Sequence, residues 1–153
     1  MADSLTIRTA TLDDIETIAS FNEAMARETE DKALDADTVR AGVEALMRDA
    51  ARGFYLVAER GDTVVGSLMI TTEWSDWRNG DFWWVQSVYV RPEARRQGIY
   101  TALYDRIKSM AAEKPSVCGV RLYVEKENAA ARATYQALGM KETPYRMYEE
   151  MIE

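Results

Sequence analysis

Apolar and polar positions change rhythm several times along the chain, and each change marks an element. Leu5 to Thr9 alternates, which predicts a short strand. From Leu12 the spacing becomes helical: Leu12, Ile15, Ile18, Ala19, Asn22 and Met25 fall on one stripe. Thr11 stands before them as N-cap, with Asp13 and Asp14 in a first turn where the helix dipole favours negative charge. A second helix follows with Asp37 as its cap and Val39, Val43, Leu46 and Met47 on one face. The polar, acidic stretch Glu28 to Asp37 between them reads as a loop.

After Gly53 the period falls to two. Phe54 to Ala58 predicts a strand, Gly61-Asp62 a turn, and Thr63 to Thr72 an antiparallel return. Trp74 to Gly80 is the next connection and Asp81 to Arg91 a third strand of this group, stopped by Pro92. From about Arg96 to Glu113 the stripe is helical again, through Ile99, Leu103, Ile107, Met110 and Ala111. Val117 to Val124 predicts a strand, Asn128 to Leu138 an alanine-rich helix stopped at Gly139, and Thr143 to Met151 a last strand. The order β-α-α-β-β-β-α-β-α-β, without repeats or linkers, predicts one α/β domain over residues 1–153 built on a mixed sheet. The helix between the strands 81–91 and 117–124 makes that pair parallel.

Composition then removes several kinds of chemistry. The 153 residues include no histidine, which excludes Ser-His-Asp triads, Cys-His dyads and most zinc sites. The single Cys118 has no internal partner and sits in an apolar strand, as a structural thiol does. A net charge of -7 argues against nucleic acid as the main partner and suits a cationic ligand. With no apolar run long enough to cross a bilayer and no signal-like start, no membrane partner and a cytoplasmic location are expected.

Chemistry concentrates between Val85 and Tyr104. A strand ending in Val88-Tyr89-Val90-Arg91-Pro92 runs into Arg95-Arg96-Gln97-Gly98-Ile99-Tyr100 and then an amphipathic helix. Glycine permits close backbone approach, first-turn amides lack helical partners, and the dipole attracts anions. Arg91, Arg95 and Arg96 add positive charge in an acidic chain. These features describe either a phosphate site or a basic turn before a surface helix.

The stretch Val88 to Tyr104 resembles motif A of the GNAT acetyltransferase superfamily: a hydrophobic-x-Val-x-Pro strand end followed by Arg/Gln-x-x-Gly-x-Gly/Ala. Tyr100 departs from the last position. Leu122-Tyr123-Val124 with Asn128, Ala131, Tyr135, Gly139 and Met140 resembles the family's motif B, with Met140 in place of phenylalanine. Both blocks stand in the family's order.

The resemblance implies a single-domain GNAT-like sheet with antiparallel N-terminal strands, a central splayed parallel pair and flanking helices. It implies an N-acetyltransferase that uses acetyl-CoA as acyl donor, no metal, and an amine of a small molecule or protein as acceptor. Backbone groups of Val88, Tyr89 and Val90 would hold the pantetheine arm. Arg95, Arg96, Gln97, Gly98, Ile99, Tyr100 and Thr101 would form the pyrophosphate site, and Asn128 would lie near the arm. Tyr135 matches the position from which the family protonates the leaving sulfur; otherwise it is a packing ring. Gln86 stands where many members carry a glutamate, so the base is left to Glu73, to Glu125, or to a backbone carbonyl with water. Trp74 and Trp77, in the predicted loop, would line an acceptor pocket or serve as a lid or dimer contact; dimers are common among such folds. The rival readings are a non-catalytic acyl-CoA-binding or sensor domain, and an assembly domain that lost its cofactor site.

Overall fold

The computed structural model describes residues 4–152, which divide into two compact units, 4–122 and 123–152. In the first unit the elements are β1 (Leu5–Thr9), α1 (Ile15–Glu30), α2 (Ala36–Met47), β2 (Gly53–Arg60), β3 (Thr63–Ser75), β4 (Gly80–Val90), α3 (Ile99–Ala112) and β5 (Val117–Arg121). The sheet runs β1-β2-β3-β4-β5, antiparallel throughout except for the parallel β4–β5 pair. The expected mixed α/β sheet is therefore present.

Strand alternation sorts the core into two layers. Leu56, Ala58, Leu68, Ile70, Trp83 and Val85 face α3, where they bury Ile99, Leu103 and Ile107. Tyr55 and Val57 face the other way, onto Ile15, Ile18, Ala19, Val43 and Leu46 of α1 and α2. β2 is thus apolar on both faces, as a strand between two helical layers must be. Each fully buried aliphatic side chain here contributes about 1.5–3 kcal/mol.

The helix starts are set by side chains. The Thr11 backbone N–H donates to Asp14 Oδ2 at 2.7 Å ahead of α1. Asp14 is buried and receives both guanidinium nitrogens of Arg8, at 2.8 and 3.1 Å. Burial pushes its carboxyl up, but the Arg8 and Thr11 hydrogen bonds outweigh that and hold it below the usual carboxylate range. The cap of α2 is Asp35 rather than the expected Asp37: its carboxylate accepts from the Thr38 N–H at 3.0 Å. A cap stands outside the helix and accepts from an amide two or three residues on, whereas Asp37 already lies inside the first turn.

Two further boundaries differ from expectation. α1 continues to Glu30 and is stopped by Asp31, whose φ of 52° is left-handed, so Glu28 is helical. β3 continues to Ser75, which puts Trp74 in the strand and only Trp77 in the turn.

The second unit contains α4 (Ala129–Ala137), capped by Asn128 Oδ1 accepting from the Ala131 N–H at 3.1 Å. No strand forms over the expected range 143–151. Pro144 cannot donate to a ladder, and Tyr145, Met147, Tyr148 and Met151 are all exposed, so neither face is buried to fix a register. β5 stops at Arg121, short of the expected Val124, because its ladder with β4 ends there.

Candidate functional site

β4 carries the site because it outruns its neighbour. Its parallel register with β5 covers only Asp81 to Trp84, the last pair being Trp84↔Arg121. From Val85 to Val90 that flank of β4 has no ladder partner among the described residues. Such a flank presents amides and carbonyls to anything strand-like that enters.

A bulge interrupts the same stretch. Ser67 pairs with Tyr89 and Met69 with Gln86, so Ser87 and Val88 together oppose Leu68. Ser87 takes a left-handed φ of 51°, uncommon for a residue with a side chain. The extra residue reverses the facing of everything after it. Before the bulge Trp83 and Val85 face α3; after it Val88 and Val90 do. Tyr89 accordingly turns to α1, with its ring 4.9 Å from Phe21.

Backbone direction divides the three predicted strand residues. The Arg91 N–H donates to Val65 O at 2.8 Å, toward β3. Amides alternate along a strand, so the Tyr89 backbone also faces β3, while Val88 and Val90 address the open flank. The backbone groups of Val88 and Val90 therefore lie on the open flank, whereas Tyr89 turns its backbone to β3 and its ring to α1.

The loop after β4 brings left-handed backbone and first-turn amides together. Arg96 and Gly98 have φ of 63° and 77°, both left-handed, and Gly98 is the N-cap of α3 with no side chain to satisfy the first turn. The first helical bond there is Ala102 N–H to Gly98 O at 3.0 Å, which leaves the amides of Ile99, Tyr100 and Thr101 outside the helical ladder. Gln97 is held by Arg60 and donates to Glu93 O at 3.2 Å. The ring of Tyr100 stacks on Tyr104 with centroids 6.0 Å apart, along the flank of α3, while Ile99 is buried beneath.

The three arginines have different tasks. Arg91 donates to Val64 O at 2.8 Å and covers the Phe21 ring, a structural role. Arg95 donates to Val90 O at 2.9 Å and to Glu28 Oε2 at 2.9 Å, with its guanidinium over Tyr89. Arg96 is exposed and has no carboxylate partner among the described residues, which makes it the cation most available to a ligand.

Glu28, expected in a loop, lies at the helical end of α1 and meets this segment through Arg95. Its carboxylate also accepts from the Tyr89 hydroxyl at 3.4 Å, so one side chain joins the end of α1, the β4 ring and the loop after β4. Burial first, and then the Glu28 charge, push the Tyr89 phenol above its ordinary value. The available signal was spacing: Glu28 lies seven residues after Phe21, two turns on along one helix face.

The second group lies on the α1/α2 side of the sheet. Met69 packs on the α1/α2 cluster, so Thr71 and Glu73 share its face, as do Phe82, Trp84 and Gln86 opposite them. Gln86 donates to Thr71 Oγ1 at 2.7 Å. Glu73 accepts from Arg121 Nη1 at 3.1 Å and from Trp84 Nε1 at 3.4 Å. Arg121 lies over the Phe82 ring, 3.5 Å from its centroid, and Arg78 approaches the same ring at 5.2 Å. Glu73 thus stands with Arg121 and Trp84 rather than among residues 88–101. Trp74, from the opposite face, donates to Asn79 Oδ1 at 3.3 Å; it and Trp77 are 62% and 87% exposed.

In the second unit, Asn128 caps α4 and Tyr135 lies seven residues along it. Burial pushes the Tyr135 phenol above its ordinary value, so it is protonated at neutral pH. Glu125 accepts from the Glu127 N–H at 3.0 Å.

The GNAT acetyltransferase family model matches residues 12–140. A thialysine N-epsilon-acetyltransferase of Bos taurus is 31% identical over 118 residues, 69% of this chain and 68% of that protein. The crystal structure of a possible acetyltransferase from Clostridium difficile 630 has a TM-score of 0.92 and 50% identity, covering 97% of this chain and 98% of that one. A predicted acetyltransferase of Clostridium acetobutylicum, solved with acetyl-CoA, shares the fold at TM-score 0.79 with 18% identity and covers 96% of each chain.

Proposed function

Because the chain belongs to the GNAT acetyltransferase family, we propose that it moves the acetyl group of acetyl-CoA onto a primary amine by direct attack. The carrying observation is the open flank of β4, from Val85 to Val90, leading into the uncapped amides after Gly98. A pantetheine arm has amides spaced to pair with Val88 and Val90 as an added strand. A pyrophosphate matches the first-turn amides of α3 and the free charge of Arg96.

In the reaction the amine nitrogen attacks the thioester carbonyl, the C–S bond breaks, and the departing sulfur takes a proton. The resemblance supports Tyr135 as that proton's source, and its raised pKa keeps the phenol loaded at neutral pH. It also supports Asn128 beside the pantetheine arm.

The incoming amine must lose a proton, at a cost of about 4 kcal/mol for a lysine-like amine at neutral pH. Glu73, the nominated base, already accepts from Arg121 and Trp84. That commitment favours water as the proton acceptor, with Glu73 as the second reading. Glu73→Gln decides between them: a rate loss confined to low pH supports the carboxylate as base, and an unaltered pH profile removes it.

Calorimetric titration with acetyl-CoA, followed by release of free thiol over a panel of amines, tests the whole proposal. One-site micromolar binding with turnover of at least one amine is expected. Binding without turnover would favour an acyl-CoA sensor, a reading that Gln86, a non-ionisable residue bonded to Thr71, keeps open. No binding at millimolar acetyl-CoA, in folded protein, would overturn the proposal. The Bos taurus relative makes lysine-like amines the first members of the panel. No helix among the described residues is long and apolar enough to cross a membrane.

A further inference from the structure

The group around Phe82 is not needed for the donor. Two guanidiniums approach one ring, at 3.5 and 5.2 Å from its centroid, in a chain whose net charge is -7. Only Arg121 has a carboxylate partner, Glu73. Arg78, exposed in the β3–β4 turn, has none among the described residues. Two cations and one carboxylate meet at this ring, and the carboxylate is itself exposed.

We infer that this group binds the head of an α-amino acid, with Arg78 and Arg121 taking its carboxylate and Glu73 its ammonium. The inference rests on the proposed acetyl transfer with water as the proton acceptor, since Glu73 then holds the α-ammonium, and names its acceptor class: a free amino acid with a side-chain amine.

Charge and reach agree. A guanidinium pairs with a carboxylate in a planar fork, and a zwitterion suits a site carrying both signs. Trp84 and Gln86 continue from the group along the same face toward the bulge at Ser87. Two strand residues advance about 7 Å. The five bonds from Cα to the terminal amine of lysine, each about 1.5 Å, reach about 6 Å when extended. The amine of a lysine-length acceptor whose head is held at the Phe82 ring thus extends along Trp84 in the direction of Gln86 and the bulged, open stretch of β4. The flat indole of Trp84, fixed by its Nε1–H donation to Glu73, supplies apolar surface for the methylenes between. A diamine of the same length lacks the carboxylate and leaves Arg78 unsatisfied. A peptide-bound lysine lacks it too.

The test compares L-lysine with cadaverine, its decarboxylated counterpart, by calorimetric binding to the CoA-loaded protein and by kcat/KM with acetyl-CoA. Wild type should prefer L-lysine about 10- to 100-fold in both, the worth of one charge-assisted pair. Arg78→Gln, in an exposed turn where folding is safe, should move the L-lysine to cadaverine ratio toward one, chiefly through KM. Arg121→Gln should do the same, with thermal melting checked. Equal binding of the two ligands by wild type would overturn the inference, as would an unchanged ratio in Arg78→Gln. Absence of L-lysine binding also overturns it. Acetyl-CoA binding and turnover of other amines would survive those outcomes, so failure here is separable from failure of the proposed transfer.

Discussion

Gly98→Asp is the sharpest perturbation of the donor site, because the structure separates its effects. A Cβ at Gly98 meets nothing within 4 Å, so no steric clash is created. The backbone φ of 77° costs a non-glycine residue about 1–2 kcal/mol, at the low end for Asp, which visits the left-handed region more readily than most. In a domain of this size that lowers the melting temperature by only a few degrees. The charge is the larger effect. A carboxylate about 5 Å from a unit negative charge on a bound pyrophosphate opposes it by about 3 kcal/mol at an effective dielectric constant of about 20. Acetyl-CoA affinity should therefore fall at least about 100-fold.

Gly98→Ala is the control, since it carries the strain without the charge. Calorimetric titrations of both variants, at low and high salt, read the difference. Gly98→Asp should bind far more weakly than Gly98→Ala, and part of the gap should close as salt screens the repulsion. Equal affinities for the two variants would refute the placement of the pyrophosphate at the α3 N-terminus. A wild-type affinity in Gly98→Asp would do so outright.

Other positions separate chemistry from packing in the same way. Tyr135→Phe should lower kcat by about 100-fold or more while leaving the acetyl-CoA dissociation constant within about twofold, and an equal loss of both would make Tyr135 a packing ring. Asp14→Asn should cost about 2–4 kcal/mol, because it leaves the half-buried Arg8 with one carboxylate partner fewer and weakens the α1 cap. The Asp14 pKa is depressed in the folded state, so its contribution is present above about pH 4, its unfolded value, and is lost as pH falls through the folded one. Melting curves from pH 7 down to pH 2.5 should therefore show the gap between wild type and Asp14→Asn narrowing with acid; a constant gap would dismiss the linkage. Ser87→Val should be less stable than Ser87→Gly by about 1–2 kcal/mol in thermal melts, the reverse of the order on a regular strand, and the regular order would deny the left-handed bulge.

Periodicity made the first five strands and the first three helices legible, because each buries a stripe or a face that the spacing advertises. Ile99, Leu103 and Ile107, read as one stripe, are three of the four buried residues of α3, the fourth being Tyr104. The ends were less legible for reasons that are also local. Asp35 and Asp37 are both acceptable caps in sequence, and only the Thr38 amide distinguishes them. Glu28 looks like a loop residue because the residues after it are polar, whereas its partners are Tyr89 and Arg95, more than sixty positions away. The last predicted strand rested on alternation alone, without a neighbour to pair with. The loop after β4 was visible through Gly98, since few other residues accept its backbone. The Glu73–Arg121–Trp84 group was visible only as Glu73, because a contact between β3 and β5 side chains across β4 has no signature in spacing.

On the proposed reading, the bulge at Ser87 lets one strand serve two ligands. On a regular β4, positions 82, 84, 86, 88 and 90 would share one face, and the groups turned to α3 before and after Gln86 would be the same set. The extra residue breaks that parity. Phe82, Trp84 and Gln86 face the α1/α2 side, where Tyr89 joins them against Phe21 and Glu28, while Val88 and Val90 are returned to the α3 core. Their side chains are thereby packed, partly buried, against the α3 core, while their backbone lies on the open flank. A donor read by backbone and an acceptor read by side chains can then meet at the same few residues without competing for the same atoms. The left-handed strain at Ser87 is the cost of that division, about 1–2 kcal/mol, and it falls where the reacting groups are expected to converge.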